Sequence, residues 1–188
     1  DIFQGTPYFN IYKGEPEIKA MSAMKYDAAT IGNHDFDGGL ENLPLQLQHA
    51  NFPMLICNYD FSETPMINTY KEYKIFKKGK LKIGVTGVGI ELRGLVADNL
   101  FGNTKYLDPI SNVNRVALKL KKEENCDLVI CLSHLGFRYQ SDKVSDEVLA
   151  KQTENIDLII GGHSHTFFEK PLTYKNKIGD DVIVNQVG

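Results

Sequence analysis

The residues best equipped for chemistry fall in three short stretches. Ile31-Gly32-Asn33-His34-Asp35-Phe36-Asp37 places an amide, an imidazole and two carboxylates in a turn that follows an apolar run. Cys131-Leu132-Ser133-His134 and Ile160-Gly161-Gly162-His163-Ser164-His165 repeat the arrangement, each an apolar run that ends in histidine. Four of the five histidines lie in these places. Imidazole nitrogen, amide oxygen and carboxylate together suit zinc, manganese, iron or cobalt better than calcium or magnesium. His163 and His165 are two apart, so on an extended segment both can point the same way. The glycines before them let the backbone approach closely. Taken singly, any one of these histidines reads as an ordinary core or surface residue; the joint pattern argues for a site. His49 has no such company and reads as a surface helix residue.

The elements that must position them alternate along the chain. Glu15 to Lys25 has helical spacing, with Ile18, Met21 and Met24 on one face. Tyr26 to Ile31 reads as a short strand. Gly39 to Ala50 reads as a helix aligned on Leu40, Leu43, Leu47 and Ala50, with Pro44 delaying or bending its first turn. Phe52 to Cys57 follows as a strand. Glu72 to Phe76 and Leu81 to Val88 form a predicted hairpin around Lys77-Lys78-Gly79-Lys80. Residues 89–109 have no clear period, and a loop of that length is more often functional than idle. Ile110 to Glu124 carries the clearest helical stripe, Val113, Val116, Ala117 and Leu120. Asp127 to Leu132, Ile156 to Ile160 and Val182 to Val187 read as strands, and Val144 to Gln152 as a helix. The class is α/β. The apolar runs Ala28 to Ile31, Leu128 to Leu132 and Leu158 to Ile160 are expected to be covered on both faces, and the β-rich middle implies antiparallel pairing or a second sheet. In open α/β sheets ligands bind beyond the carboxyl ends of the strands. All three motifs follow strands, so parallel neighbours would deliver them to one edge.

Composition narrows the classes. The 188 residues suit one domain with a real core. Hydrophobic and charged fractions of 42% and 24% are those of an ordinary globular chain. A net charge of −3 argues against nucleic acid as a partner, and the lysines at 77–82 read as a solvated hairpin. No apolar run is long enough to span a membrane. Cys57, Cys126 and Cys131 form no CxxC motif, and Cys131 reads as a buried apolar filler.

Four blocks in this order resemble the calcineurin-like metallophosphoesterases, and within them the bacterial 5'-nucleotidase family. Asp1-Ile2-Phe3-Gln4-Gly5 is similar to that family's Gly-Asp-x-x-Gln-Gly block without its leading glycine. Gly32-Asn33-His34-Asp35-Phe36-Asp37 is similar to its Gly-Asn-His-Glu/Asp block, and Ser133-His134 and Gly162-His163-Ser164-His165 are similar to its two later histidine blocks. The resemblance implies a four-layer α/β/β/α sandwich with two mixed sheets. It also implies two divalent metal ions (zinc, manganese, cobalt or iron) that activate water for attack on phosphorus. Asp1 would bridge the ions, Asn33, His134 and His163 would complete one, and His165 would serve the other. His34 would face the substrate phosphate with Asp37 orienting its ring. The residues alone leave Asp37 open to another role, capping the helix that follows, and favour Asp35 as a turn or supporting residue over a ligand. Arg93 reads as a surface residue or a phosphate contact.

The family's Asp-x-His block on the first strand has no counterpart in this sequence. Five side chains are short of the roughly three or more protein ligands that each of two catalytic metals requires. The expectation is a single metallophosphoesterase domain, 1–188, cut at both ends. It would lack the first strand and a C-terminal substrate domain, and would hold one ion weakly and the other barely. The implied activity is hydrolysis of nucleoside 5'-monophosphates or related nucleotides. The alternatives are a cyclic-nucleotide phosphodiesterase, a nucleotide-sugar or sulfur-ester hydrolase, or a catalytically silent binding module of the same fold. The resemblance also implies a periplasmic or cell-surface location.

Overall fold

The computed structural model describes residues 1–188. After the N-terminal segment come two short helices, α1 (Pro7–Tyr12) and α2 (Glu15–Ala23). Strand β1 (Ala29–Thr30) pairs in parallel with β2 (Met54–Leu55), and between them lie a 3-10 turn, His34–Phe36, and helix α3 (Asn42–Leu47). Strands β3 (Tyr59–Asp60), β4 (Tyr73–Lys78) and β5 (Leu81–Gly89) follow, then helix α4 (Asp98–Phe101) and strand β6 (Lys105–Tyr106). The remaining elements are α5 (Pro109–Leu118), β7 (Leu128–His134), α6 (Asp146–Gln152), β8 (Leu158–Ile160), β9 (Leu172–Lys175) and β10 (Asp181–Asn185).

The main sheet has six strands in the order β4-β5-β7-β8-β10-β9. Its centre, β5, β7, β8 and β10, is parallel, and hairpins close both edges in antiparallel pairs. The lysine turn is that of the β4–β5 hairpin, with Lys78 opposite Leu81. Side chains alternate across the sheet. Val88, Val129, Cys131, Ile159, Val182 and Val184 pack against α5 and α6 through Val113, Val116, Ala117, Leu120, Leu149 and Ala150. On the opposite side β1 and β2 lie against β5 and β7. Helices α2 and α3 cover that small sheet through Ile18, Leu43 and Leu47, packed with Ile31, Met54 and Ile56. The layer order is therefore α/β/β/α, as expected.

The two sheets meet at unusually short range at Gly87. A Cβ there would stand 1.9 Å from the Leu55 carbonyl oxygen, so only glycine fits. The same carbonyl accepts from Thr30 Oγ1 at 2.8 Å, and Cys57 N donates to Gly87 O at 2.9 Å.

Several expectations need correction. The strand before Asn33 does not join the strands before His134 and His163 in one sheet; it belongs to the two-stranded layer stacked upon theirs. Strand β8 is not covered on both faces, since Ile160 is 43% exposed where the small sheet does not reach. The 89–109 segment holds α4 and β6, the latter paired with β3. The helix expected to Glu124 leaves α geometry at Leu118 and ends in a π turn, Lys119–Glu123, that keeps Leu120 buried. Helix α3 begins only at Asn42, two residues before Pro44, because proline is tolerated in a first turn and not deeper. No helix is long and apolar enough to cross a membrane.

Candidate metal centre

The turn after β1 is held from below by Phe36, which is fully buried among Phe61, Tyr59 and the rest of that core. Such an anchor contributes roughly 1.5–3 kcal/mol. Asp35 is buried as well, and its role is structural. Its Oδ1 accepts from Ile2 N at 2.6 Å and Phe3 N at 3.2 Å, and its Oδ2 accepts from Gly32 N at 2.7 Å. One carboxylate thus ties the N-terminal segment to the turn and fixes Asp1 beside Asn33. Gly32 permits this approach, because a Cβ there would lie 2.2 Å from Asp1 Oδ1.

Strand β7 delivers His134 on the face that meets the small sheet, and the 162–166 turn after β8 delivers His163. Four donor atoms converge. His134 Nε2 lies 3.0 Å from Asp1 Oδ2 and 3.2 Å from Asn33 Oδ1, and His163 Nδ1 lies 2.9 Å from the same Asn33 oxygen. The ligand atoms of Asp1, His134 and His163 all fall within 4.8 Å of one another. His165 lines the same cavity and stands outside that group. The cavity measures about 470 Å³, and Asp1, Phe3, His34, His134, His163 and His165 contribute to its wall.

The protonation states suit metal ligation. Burial pushes the His134 imidazole down to about 3. Burial, with His134 as neighbour, pushes His163 down to about 4. Both rings are therefore neutral across the physiological range, the form in which imidazole donates a lone pair to metal. Two neutral imidazoles, an amide oxygen and a carboxylate fit a borderline-soft divalent ion.

His34 sits on the rim with its side chain 51% exposed, and its Nδ1 lies 2.8 Å from Asp37 Oδ2. Its backbone N–H donates to Asp1 Oδ1 at 2.8 Å. Asp37 does not cap α3, whose N-cap position is Glu41. Arg93 is exposed and lines a different cavity, with Tyr59, Glu91 and Tyr106. His49 is half-buried just past α3. The three cysteines are buried free thiols, with burial pushing Cys57 up to about 12.

Two residues beneath the site escaped the sequence reading, Gln186 and Asp146. Asp146 opens α6 and is fully buried, with Ser133 Oγ donating to its Oδ1 and no partner for its Oδ2. Burial raises this carboxyl from 3.8 to about 7, and the Ser133 bond offsets only part of the shift. The folded protein thus keeps a proton that the unfolded chain loses near 3.8. The associated stability is complete below that pH and is lost as pH rises through about 7. Asp146→Asn, which mimics the neutral acid, should match the wild type at pH 4 and exceed it at pH 8. Urea unfolding at both values checks this, and a variant weaker at pH 8 would contradict it.

Comparison with known proteins decides the kinship. The calcineurin-like phosphoesterase family model matches residues 1–167. The chain belongs to that family. The 5'-nucleotidase of Vibrio cholerae is 36% identical over 173 residues, covering 87% of this chain and 31% of that protein. The crystal structure of a 5'-nucleotidase precursor from Thermus thermophilus superposes with a TM-score of 0.89 at 30% identity, covering 99% of this chain and 38% of the other. The NAD nucleotidase of Haemophilus influenzae gives 0.85 at 30% identity, with the same coverage. The chain spans about 28–31% of the length of the curated relatives it matches.

Proposed function

We propose that this phosphoesterase-family domain carries the hydrolytic site of a metal-dependent nucleotide phosphohydrolase acting on nucleoside 5'-monophosphates or close relatives. The observation that carries the reading is the meeting of Asp1, Asn33, His134 and His163 at one point, with the His34–Asp37 pair on the rim of the same cavity. Asp1, Asn33, His134 and His163 would hold one divalent ion, and Asp1 and His165 would contribute to a second. Bound divalent cations supply Lewis acidity toward a phosphoryl oxygen and lower the pKa of water.

The remaining work falls to this chain's own side chains. Asp37 accepts from His34 Nδ1, which fixes the ring's orientation and leaves Nε2 for the substrate. With the ring protonated, its Nε2–H would stabilise charge developing on phosphorus or give its proton to the leaving oxygen. Phe3 is the one hydrophobic side chain in a cavity wall otherwise formed by Asp1, Gln4, the four histidines and glycines, and the charged and hydrogen-bonding groups among them suit the phosphate end of a substrate. We assign recognition of the base to a separate C-terminal domain, and we place the intact protein in the periplasm or at the cell surface, which cell fractionation checks.

The test is phosphate release by the intact gene product from nucleoside 5'-monophosphates, cyclic nucleotides, NAD and nucleotide sugars. The expected result is release from monophosphates that chelation abolishes and manganese, cobalt or zinc restores. Release undiminished by exhaustive chelation, or no release from any of these compounds, would sink the reading. Metal analysis of the 188-residue chain belongs beside it: two tightly bound ions would contradict the ligand shortage.

A further inference from the structure

We infer that Gln186 is a positioning residue whose amide brackets the 162–166 turn and aims His163 and His165 at the cavity. This rests on the reading of that cavity as a metal site. Gln186 is 1% exposed and lies one residue past β10. By strand alternation it shares the helix-facing side with Val182 and Val184, where a polar side chain must find partners.

All of its side-chain partners lie in one turn. Nε2 donates to Gly162 O, while Oε1 accepts from Thr166 N at 2.6 Å and from Ser164 Oγ at 2.9 Å. These contacts fall just before His163, between the two histidines, and just after His165. Both histidines occupy the left-handed region, His163 at φ 71° and His165 at φ 51°. Residues other than glycine persist there when the surroundings over-determine them. The Gln186 amide supplies that constraint on both sides of each residue. Ser164 extends it, because its Oγ also accepts from Phe137 N at 2.9 Å, in the loop that follows His134. The two histidine-bearing segments are thereby tied together beneath the site. Gln186 takes no part in the cavity wall, so its influence on a bound ion must pass through the turn.

Gln186→Met keeps the volume and removes every hydrogen bond of the amide; Gln186→Glu keeps the acceptor and loses the donor to Gly162. Both are to be made in the intact protein. Three quantities are read: cobalt affinity from its visible absorption, imidazole signals in long-range proton–nitrogen spectra of the metal-free protein, and thermal unfolding. Gln186→Met should bind cobalt about 10–100-fold more weakly, the range expected for loss of an outer support of a metal ligand. The His163 and His165 signals should shift or broaden while that of His49 stays in place. Gln186→Glu should fall between Met and wild type. A Met variant that melts earlier yet binds cobalt like wild type, with unmoved imidazole signals, overturns the proposal and leaves Gln186 a purely structural residue. If wild type itself takes up no cobalt, the hydrolase reading fails and the imidazole spectra alone decide the clamp. Should the Met variant not fold, the Glu variant decides by the same readouts.

Discussion

His134→Ala should leave a folded protein that no longer retains a divalent cation and whose hydrolytic rate has fallen by at least about 100-fold. That bound is the upper end of the loss seen when a mere outer support of a metal ligand is removed, and His134 is assigned as a ligand itself. Its Nε2 approaches both Asp1 and Asn33, at 3.0 and 3.2 Å. Without it Asp1, Asn33 and His163 face a gap that water fills and no side chain can. The ring is buried at the end of a central strand, so part of the effect would be lost packing. His134→Gln, closer in volume, separates the two. Metal content by mass spectrometry and kcat/KM on a nucleoside monophosphate are the measurements. Undiminished metal in both variants would remove His134 from the centre.

His34→Ala should behave differently. Loss of a group that transfers a proton in the transition state costs about 10²–10⁴-fold, and here the metal content should not change. The His34 side chain stands on the rim outside the donor cluster, and its link to Asp1 runs through the backbone N–H, which alanine retains. The fall should appear in kcat, with KM little altered. Asp37→Asn should cost about 10–100-fold, the effect of unseating a partner that orients an imidazole. Substrate choice then divides the two possible roles of His34. A nitrophenyl ester, whose leaving group needs no proton, should largely escape the His34→Ala penalty if the ring protonates the leaving oxygen. It should suffer in full if the ring stabilises charge on phosphorus. A His34→Ala variant with normal kcat on nucleotides would leave the residue without a chemical role.

The convergence of Asp1, Asn33, His134 and His163 is largely legible in the sequence because these residues announce themselves by type and by place. A histidine that ends an apolar strand is rare enough that three such endings stand out, and the β4–β5 hairpin and the Val113–Leu120 stripe were plain for the same reason of period. The layer arrangement was less plain. Strands β1 and β2 are two residues each, too short for alternation to show whether they join the main sheet or stack on it. Strands β3, β6 and β9 are similarly brief or mixed in character, and Ile160 reads as core although one side of it is open. Gln186 left a faint signal: residues 182, 184 and 186 share one face, and a polar residue third in that row demands partners. Asp146 left none, since an acid in the first turn of a helix ordinarily faces solvent and favours the helix dipole.

The contact at Gly87 bears on how tightly this centre can be held. Asn33 rides on one layer and His134 and His163 on the other, so the spacing between layers sets the width of the coordination sphere. At Gly87 that spacing is fixed by main chain against main chain, with no side chain between. Changes in the size of core residues elsewhere can be absorbed by repacking, whereas a peptide group in contact with another cannot shrink or turn aside. The gauge of the donor set is thus written into the backbone and is insulated from drift in the hydrophobic interior.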